Sequence, residues 1–187
     1  MVPVHAAPNV LQYILRKTEQ MPMKRLLVIL IAATALGTGE GLAQKRSLFR
    51  LPSLDGRTVD LTQYRGRVVV LSFGATWCPP CREELPVLQK VADQYAGRPV
   101  AFFWVSIDEP EVSNQHLRQF IARLGVRLPV LRDPEASILQ EFKTDGVPAL
   151  LILDPNGEPI GPPHVGFSDP ESYANEVIKT VNALLKP

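Results

Sequence analysis

The chain has 187 residues, 45% of them hydrophobic, and a formal net charge of +1. That length can bury one proper core, and the near-zero charge gives no support for a nucleic-acid partner, which a clustered basic surface would signal. Its two cysteines, Cys78 and Cys81, exclude a scaffold stapled by several structural disulfides.

Residues 1–22 carry Arg16, Lys17, Glu19 and three prolines ahead of any regular pattern. They read as an extension upstream of a true start at Met21 or Met23, or as a long basic leader; both readings stay open. Residues 23–43 have the order of a secretory signal peptide. Met23-Lys24-Arg25 is basic, Leu26 to Leu36 is apolar or small apart from Thr34, and Gly41-Leu42-Ala43 offers small residues for cleavage after Ala43. An uncleaved membrane anchor is the alternative, although the apolar run is short against about 30 Å of hydrocarbon. Either way the domain at 44–187 is expected outside the cytoplasm, in a periplasm or its equivalent.

Within that domain, Phe49, Leu51 and Leu54, then Val59 and Leu61, flank Asp55-Gly56, a β-hairpin signal. Val68 to Phe73 is β-branched and apolar on both faces, so it predicts a central strand. A helix follows, with Pro79 in its first turn and Leu85, Leu88, Val91, Ala92 and Tyr95 at helical spacing. Pro86 inside that pattern predicts a kink. Val100 to Ile107 reads as a second buried strand, and Leu117, Phe120, Ile121 and Leu124 as a second helix ended by Gly125. A strand at Leu128 to Leu131 and a short helix at Pro134 to Phe142 come next. Ala149 to Leu153 and Pro159 to Phe167 flank the turn Asp154-Pro155-Asn156-Gly157. A last helix is predicted from about Pro170 to Leu185, with Tyr173, Val177, Val181 and Leu184 inward. The fold class is therefore α/β, a three-layer sandwich with a mixed central sheet, helices on both faces and an N-terminal hairpin.

Two cysteines at i and i+3 on a helix N-terminus suit one task. One thiolate attacks a disulfide, and the other then resolves the mixed disulfide. The partial positive charge of the helix end lowers the pKa of the first cysteine, so Cys78 is the expected nucleophile and Cys81 the resolving thiol. A zinc site would need further ligands, and His5, His116 and His164 are isolated in the sequence. Covalent haem attachment would want a histidine where Arg82 stands. No metal or other cofactor is called for.

The run Phe73-Gly74-Ala75-Thr76-Trp77-Cys78-Pro79-Pro80-Cys81-Arg82-Glu83-Glu84-Leu85-Pro86 resembles the active-site segment of the thioredoxin superfamily. More narrowly it is similar to the periplasmic TlpA/ResA-like branch of thiol–disulfide oxidoreductases. The resemblance covers 46–187. It implies that Trp77 packs over the site and that Val147-Pro148 faces the cysteines with Pro148 cis, leaving the Val147 backbone to pair with an extended client. A proline at a strand's first residue is the plainer reading of Pro148. Thioredoxin keeps a buried acid six residues before its first cysteine, where this chain has Ser72. The branch resemblance implies a replacement at Glu109, partly buried and exchanging protons with Cys81. Against that, Asp108 and Glu109 also read as a solvated acidic turn before Pro110. Of Glu83 and Glu84, one is expected in solvent and one in a surface pair.

The leading expectation is a disulfide reductase for client proteins with cysteines, fed by a membrane electron donor. The resemblance suggests cytochrome c maturation or metal-site assembly as settings. A peroxiredoxin-like thiol peroxidase and a redox-inert thioredoxin-fold binding module are the competing readings. Pro79 and Pro80 lack N–H groups, so Cys78 is stabilised only by amides from Cys81 onward and by the helix dipole. A reducing couple is expected, with a potential well below the about −120 mV of a strong oxidant. Equilibration of the couple against a thiol buffer checks it, and a value at or above that figure would contradict the reading.

Overall fold

The computed structural model describes residues 49–185; the expected leader and cleavage site lie outside them. The hairpin forms as β1 (Arg50–Pro52) and β2 (Thr58–Asp60), antiparallel and in a small sheet of their own. Gly56 turns it at φ +82°, which a side chain would resist. The hairpin leans on the edge of the main sheet, where Ser53 bridges Leu131 and the Leu54 amide donates to the Val130 carbonyl.

The main sheet has the order β5-β4-β3-β6-β7. At its centre, β3 (Val68–Gly74) is buried along its whole length. Its neighbour β4 (Val100–Ser106) runs parallel to it, and β5 (Val130–Arg132) parallel to β4. On the other side β6 (Ala149–Leu153) is antiparallel to β3, and β7 (His164–Val165) antiparallel to β6. Among the described residues the α-helices are α1 (Pro79–Asp93), α2 (Asn114–Arg123), α3 (Ser137–Glu141) and α4 (Pro170–Leu184).

Alternation along β3 divides the core in two. Val68 and Val70 face Leu85 and Leu88 of α1, Phe120 of α2 and Val177 of α4. Val69, Leu71 and Phe73 face the opposite layer, which holds Leu51 of the hairpin and Ile138 and Leu139 of α3. The expected three layers are present.

Two elements are shorter than their sequence signals for local reasons, and a third is shifted along the chain. The helix predicted from Pro134 starts only at Ser137, because the Asp133 carboxylate accepts from the Ser137 and Ile138 amides and Ala136 turns left-handed at φ 49°. The strand predicted at Leu128 to Leu131 is shifted to Val130–Arg132. The final strand is reduced to a bridge at Pro159 and the two residues of β7. Pro162 and Pro163 offer no N–H to a ladder, and Gly161 has φ +73°, so pairing is interrupted there. By contrast, α1 continues through Pro86 over its full range.

Leu85 is fully buried where α1 meets the sheet. Truncation of Leu85 to alanine is expected to cost about 2–5 kcal/mol of stability, read from urea unfolding.

Candidate functional site

The site forms where β3 hands over to α1, at the carboxyl ends of the parallel strands, where open α/β sheets place their ligands. Cys78 is the N-cap of α1, with extended backbone at φ −90° and ψ 108°. Its Sγ accepts a hydrogen bond from the Cys81 amide at 3.2 Å. Pro79 and Pro80 fill the first turn, so the Cys81 amide is the first helical N–H available to that sulfur. The two cysteines are joined as a disulfide. Cys78 is 3% exposed and Cys81 is fully buried, packed with Ala75 and against Ile107 and Val147.

The Val147–Pro148 peptide bond is cis, and the Val147 carbonyl lies 3.7 Å from Cys78 Sγ. Cys78, Cys81, Val147 and Pro148 are thus brought together at one spot. Trp77 is 62% exposed and lines an open cleft with Thr76, Arg82 and His116. The apolar cover over the cysteines comes from Ile107 and Val147.

The turn before Cys78 is held from below. The buried Asp108 carboxylate accepts from the Thr76 amide at 3.0 Å, the Thr76 hydroxyl at 2.6 Å and the Ser106 hydroxyl at 2.9 Å. From the other side, the Arg82 guanidinium donates to the Thr76 carbonyl at 2.7 Å. So Asp108 is no solvated turn residue. Its neighbour Glu109 is exposed and not partly buried as expected, because the chain turns outward once Asp108 has pointed in. The Glu109 backbone carbonyl accepts from Arg132, which ties this loop to β5.

A second buried acid is Glu84, one helical turn beyond Cys81, in place of the surface position expected for it. It is 1% exposed. The Ser72 hydroxyl donates to one carboxylate oxygen at 2.9 Å, and the Tyr173 hydroxyl donates to the other. Burial raises its pKa from 4.5 to about 7, against the opposing pull of those two hydrogen bonds. Burial and the adjacent Glu84 charge also push the Tyr173 hydroxyl well above its ordinary value. Residues three apart on a helix share a face, with Cβ atoms about 5–6 Å apart, so Glu84 sits one turn below Cys81. A carboxyl that titrates near neutrality, this close to a buried thiol, can take and return a proton. The signal was in the sequence. Cys81, Glu84, Leu85 and Leu88 form the buried stripe of α1, and a glutamate in such a stripe must find partners.

The AhpC/TSA family matches this chain over residues 42–158. A protein named thiol-disulfide oxidoreductase ResA from Geobacillus thermodenitrificans is 28% identical over 153 residues, covering 76% of this chain and 86% of its own length. Among solved structures, a Chlorobium tepidum protein assigned as thiol:disulfide interchange protein DsbE is 27% identical, with a TM-score of 0.64, covering 74% of this chain and 93% of that one. The exposed lipoprotein thioredoxin Etrx1 of Streptococcus pneumoniae is also 27% identical, with a TM-score of 0.57, covering 73% and 98%. The chain belongs to the AhpC/TSA family, and it is a thiol–disulfide oxidoreductase with a thioredoxin-like fold.

The raised pKa of Glu84 carries a sign for stability. The unfolded chain loses this proton near 4.5 and the folded one near 7. Stability from this group is therefore full below the lower value, declines as pH rises, and levels off above the higher one. The gap corresponds to about 3 kcal/mol. Replacing Glu84 by glutamine removes that slope. The oxidised Glu84→Gln variant should gain on the parent by about 3 kcal/mol between roughly pH 4 and pH 8 in urea unfolding. A difference that stays constant with pH would mean that Glu84 has the same pKa in the folded chain as in the unfolded one.

Proposed function

We propose that this protein reduces disulfides in client proteins outside the cytoplasm, with Cys78 as nucleophile, Cys81 as resolving thiol and Glu84 holding the proton. The observation that carries the reading is the asymmetry of the pair. Cys78 caps the helix and borders the Val147 carbonyl, while Cys81 lies one turn inside and fully buried.

In the reduced protein, Cys78 as thiolate attacks one sulfur of a client disulfide. A Cys78–client disulfide forms and the other client sulfur leaves as thiolate, taking a proton from solvent. Glu84 then takes the Cys81 proton, and the Cys81 thiolate attacks Cys78 Sγ. The Cys78–Cys81 disulfide forms, the second client thiolate departs, and two electrons have passed from the pair to the client. Return to the dithiol needs an electron donor, which we place in the membrane. Between the two acids considered, the proton is assigned to Glu84 because it is buried on the cysteines' own helix, whereas Glu109 is exposed.

Trp77, beside Cys78, and the backbone of Val147 next to Pro148 are assigned to client binding. The leader-like pattern of 23–43 supports export, with the mature chain starting after Ala43. Clients in cytochrome c maturation or metal-site assembly are the settings that fit a reducing thiol pair in that compartment. In keeping with a compartment outside the cytoplasm, the pneumococcal relative is an exposed lipoprotein. No helix among the described residues is long and apolar enough to cross a membrane.

Trapping tests the reading. A Cys81→Ala variant expressed in its own compartment should accumulate mixed disulfides through Cys78, identifiable by mass spectrometry, and a Cys78→Ala variant should accumulate none. If both variants trap equally, or the parent pair is found fully oxidised at steady state, the assignment of roles or of direction is wrong.

A further inference from the structure

One buried donor has no use in the chemistry above. Trp104, on β4, is fully buried and stacked on Phe120, and its indole Nε1 has no hydrogen-bond partner among the described residues. Native proteins rarely leave such an N–H unpaired, because the desolvation of the donor is then uncompensated. Its position is informative. A Cβ placed on Gly74 would lie 3.0 Å from Trp104 Nε1 and 3.0 Å from Cys81 Sγ. The indole N–H and the resolving sulfur therefore border the same point, and only the missing side chain of Gly74 keeps it open. Within the disulfide, Cys81 Sγ is a weak acceptor. Once that bond opens, the sulfur is a thiolate for part of its cycle, with Ala75, Ile107 and Val147 as its apolar neighbours.

We propose that the Trp104 indole N–H is the hydrogen-bond donor for the Cys81 thiolate in the reduced enzyme. This rests on the reading of Cys81 as the resolving thiol and assigns that thiol its stabilising partner. The bond favours the ionised form, so the thiolate is populated at lower pH and resolution of the mixed disulfide is faster at neutral pH. It also favours the dithiol state over the disulfide, tuning the couple toward a less reducing potential. The titratable and polar groups that face this corner are Glu84 on α1, Ser72 on β3, Asp108 after β4 and Tyr173 on α4. Asp108 is engaged with Thr76 and Ser106, and Tyr173 with Glu84. Val147 brings a carbonyl, which accepts and cannot donate.

The test is a titration of the reduced full chain followed by the indole N–H resonance of Trp104 in proton–nitrogen NMR. That resonance should move downfield on reduction and titrate with Cys81, whose pKa is read independently from the pH dependence of its alkylation in a Cys78→Ser variant. Repeating the titration in Glu84→Gln removes the buried carboxyl as a source of the shift. Trp104→Phe keeps the aromatic stack and loses the donor, and should raise the Cys81 pKa by about one unit. Gly74→Ala places a methyl between the two atoms and should do the same while retaining the indole. An indole resonance indifferent to reduction, with an unchanged Cys81 pKa in Trp104→Phe, would overturn the proposal. Should that variant not fold, the titration in the parent chain decides alone. Client trapping by Cys81→Ala does not depend on Trp104. An indole that titrates in a protein that traps nothing would leave the contact standing and remove the role of Cys81.

Discussion

A carboxyl group under the active-site helix is the constraint around which this domain is arranged. Glu84 is removed from water, and removal of a lone carboxylate would be prohibitive. Ser72 from the central strand and Tyr173 from the closing helix each give it a hydrogen bond. The closing helix α4 is thereby tied to the consecutive elements β3 and α1 at one point. Those bonds only partly offset burial, so the pKa stays raised to about 7, which suits the proton-carrying role proposed for it. A stronger set of donors would have made it a permanent anion. An apolar residue in its place would have packed more easily and done no chemistry. The arrangement sits between those limits.

The second acid, Asp108, is buried to a different end. It accepts the Thr76 amide and hydroxyl and the Ser106 hydroxyl, and so fixes the turn that delivers Cys78 to the helix N-terminus. Precision here matters because the sulfur must meet the Cys81 amide and the client sulfur in one geometry. Adjacent residues thus divide sharply. Asp108 is structural and inward, while Glu109 is exposed and offers the fold only its carbonyl.

Much of this was legible in the residues, and the parts that were not share a cause. Val68 to Phe73, apolar on both faces, could only be a covered strand, and Asp55-Gly56 could only be a tight turn. The cysteines at i and i+3 after that strand marked the site by chemistry alone. Polar residues were harder. Glu83 and Glu84 are identical side chains one position apart, and only the helical stripe through Cys81, Leu85 and Leu88 tells which is buried. Their partners cannot be read locally, since Tyr173 is 89 residues away from Glu84 in the chain. The same limit explains Glu109, where the resemblance implied a partly buried acid and the chain instead turns Asp108 inward and leaves Glu109 exposed. Ile107 and Val147, which pack against the cysteines, come from two other segments, and no local pattern around Cys78 announces them.

The double proline gives the site its last constraint. An ordinary helix start would present several N–H groups to the capping sulfur, but Pro79 and Pro80 remove the first two. Cys78 is left with the Cys81 amide and the dipole of α1, so its thiolate is less stabilised than one at a fully armed helix end. A thiolate held weakly is a better nucleophile and a poorer leaving group, and both properties favour giving electrons over taking them. The inner sulfur is treated in the opposite way, buried beside an acid that can take its proton. The proposed nucleophile and resolver therefore differ by environment and not by residue type. In the proposed function, that difference sets the direction of attack.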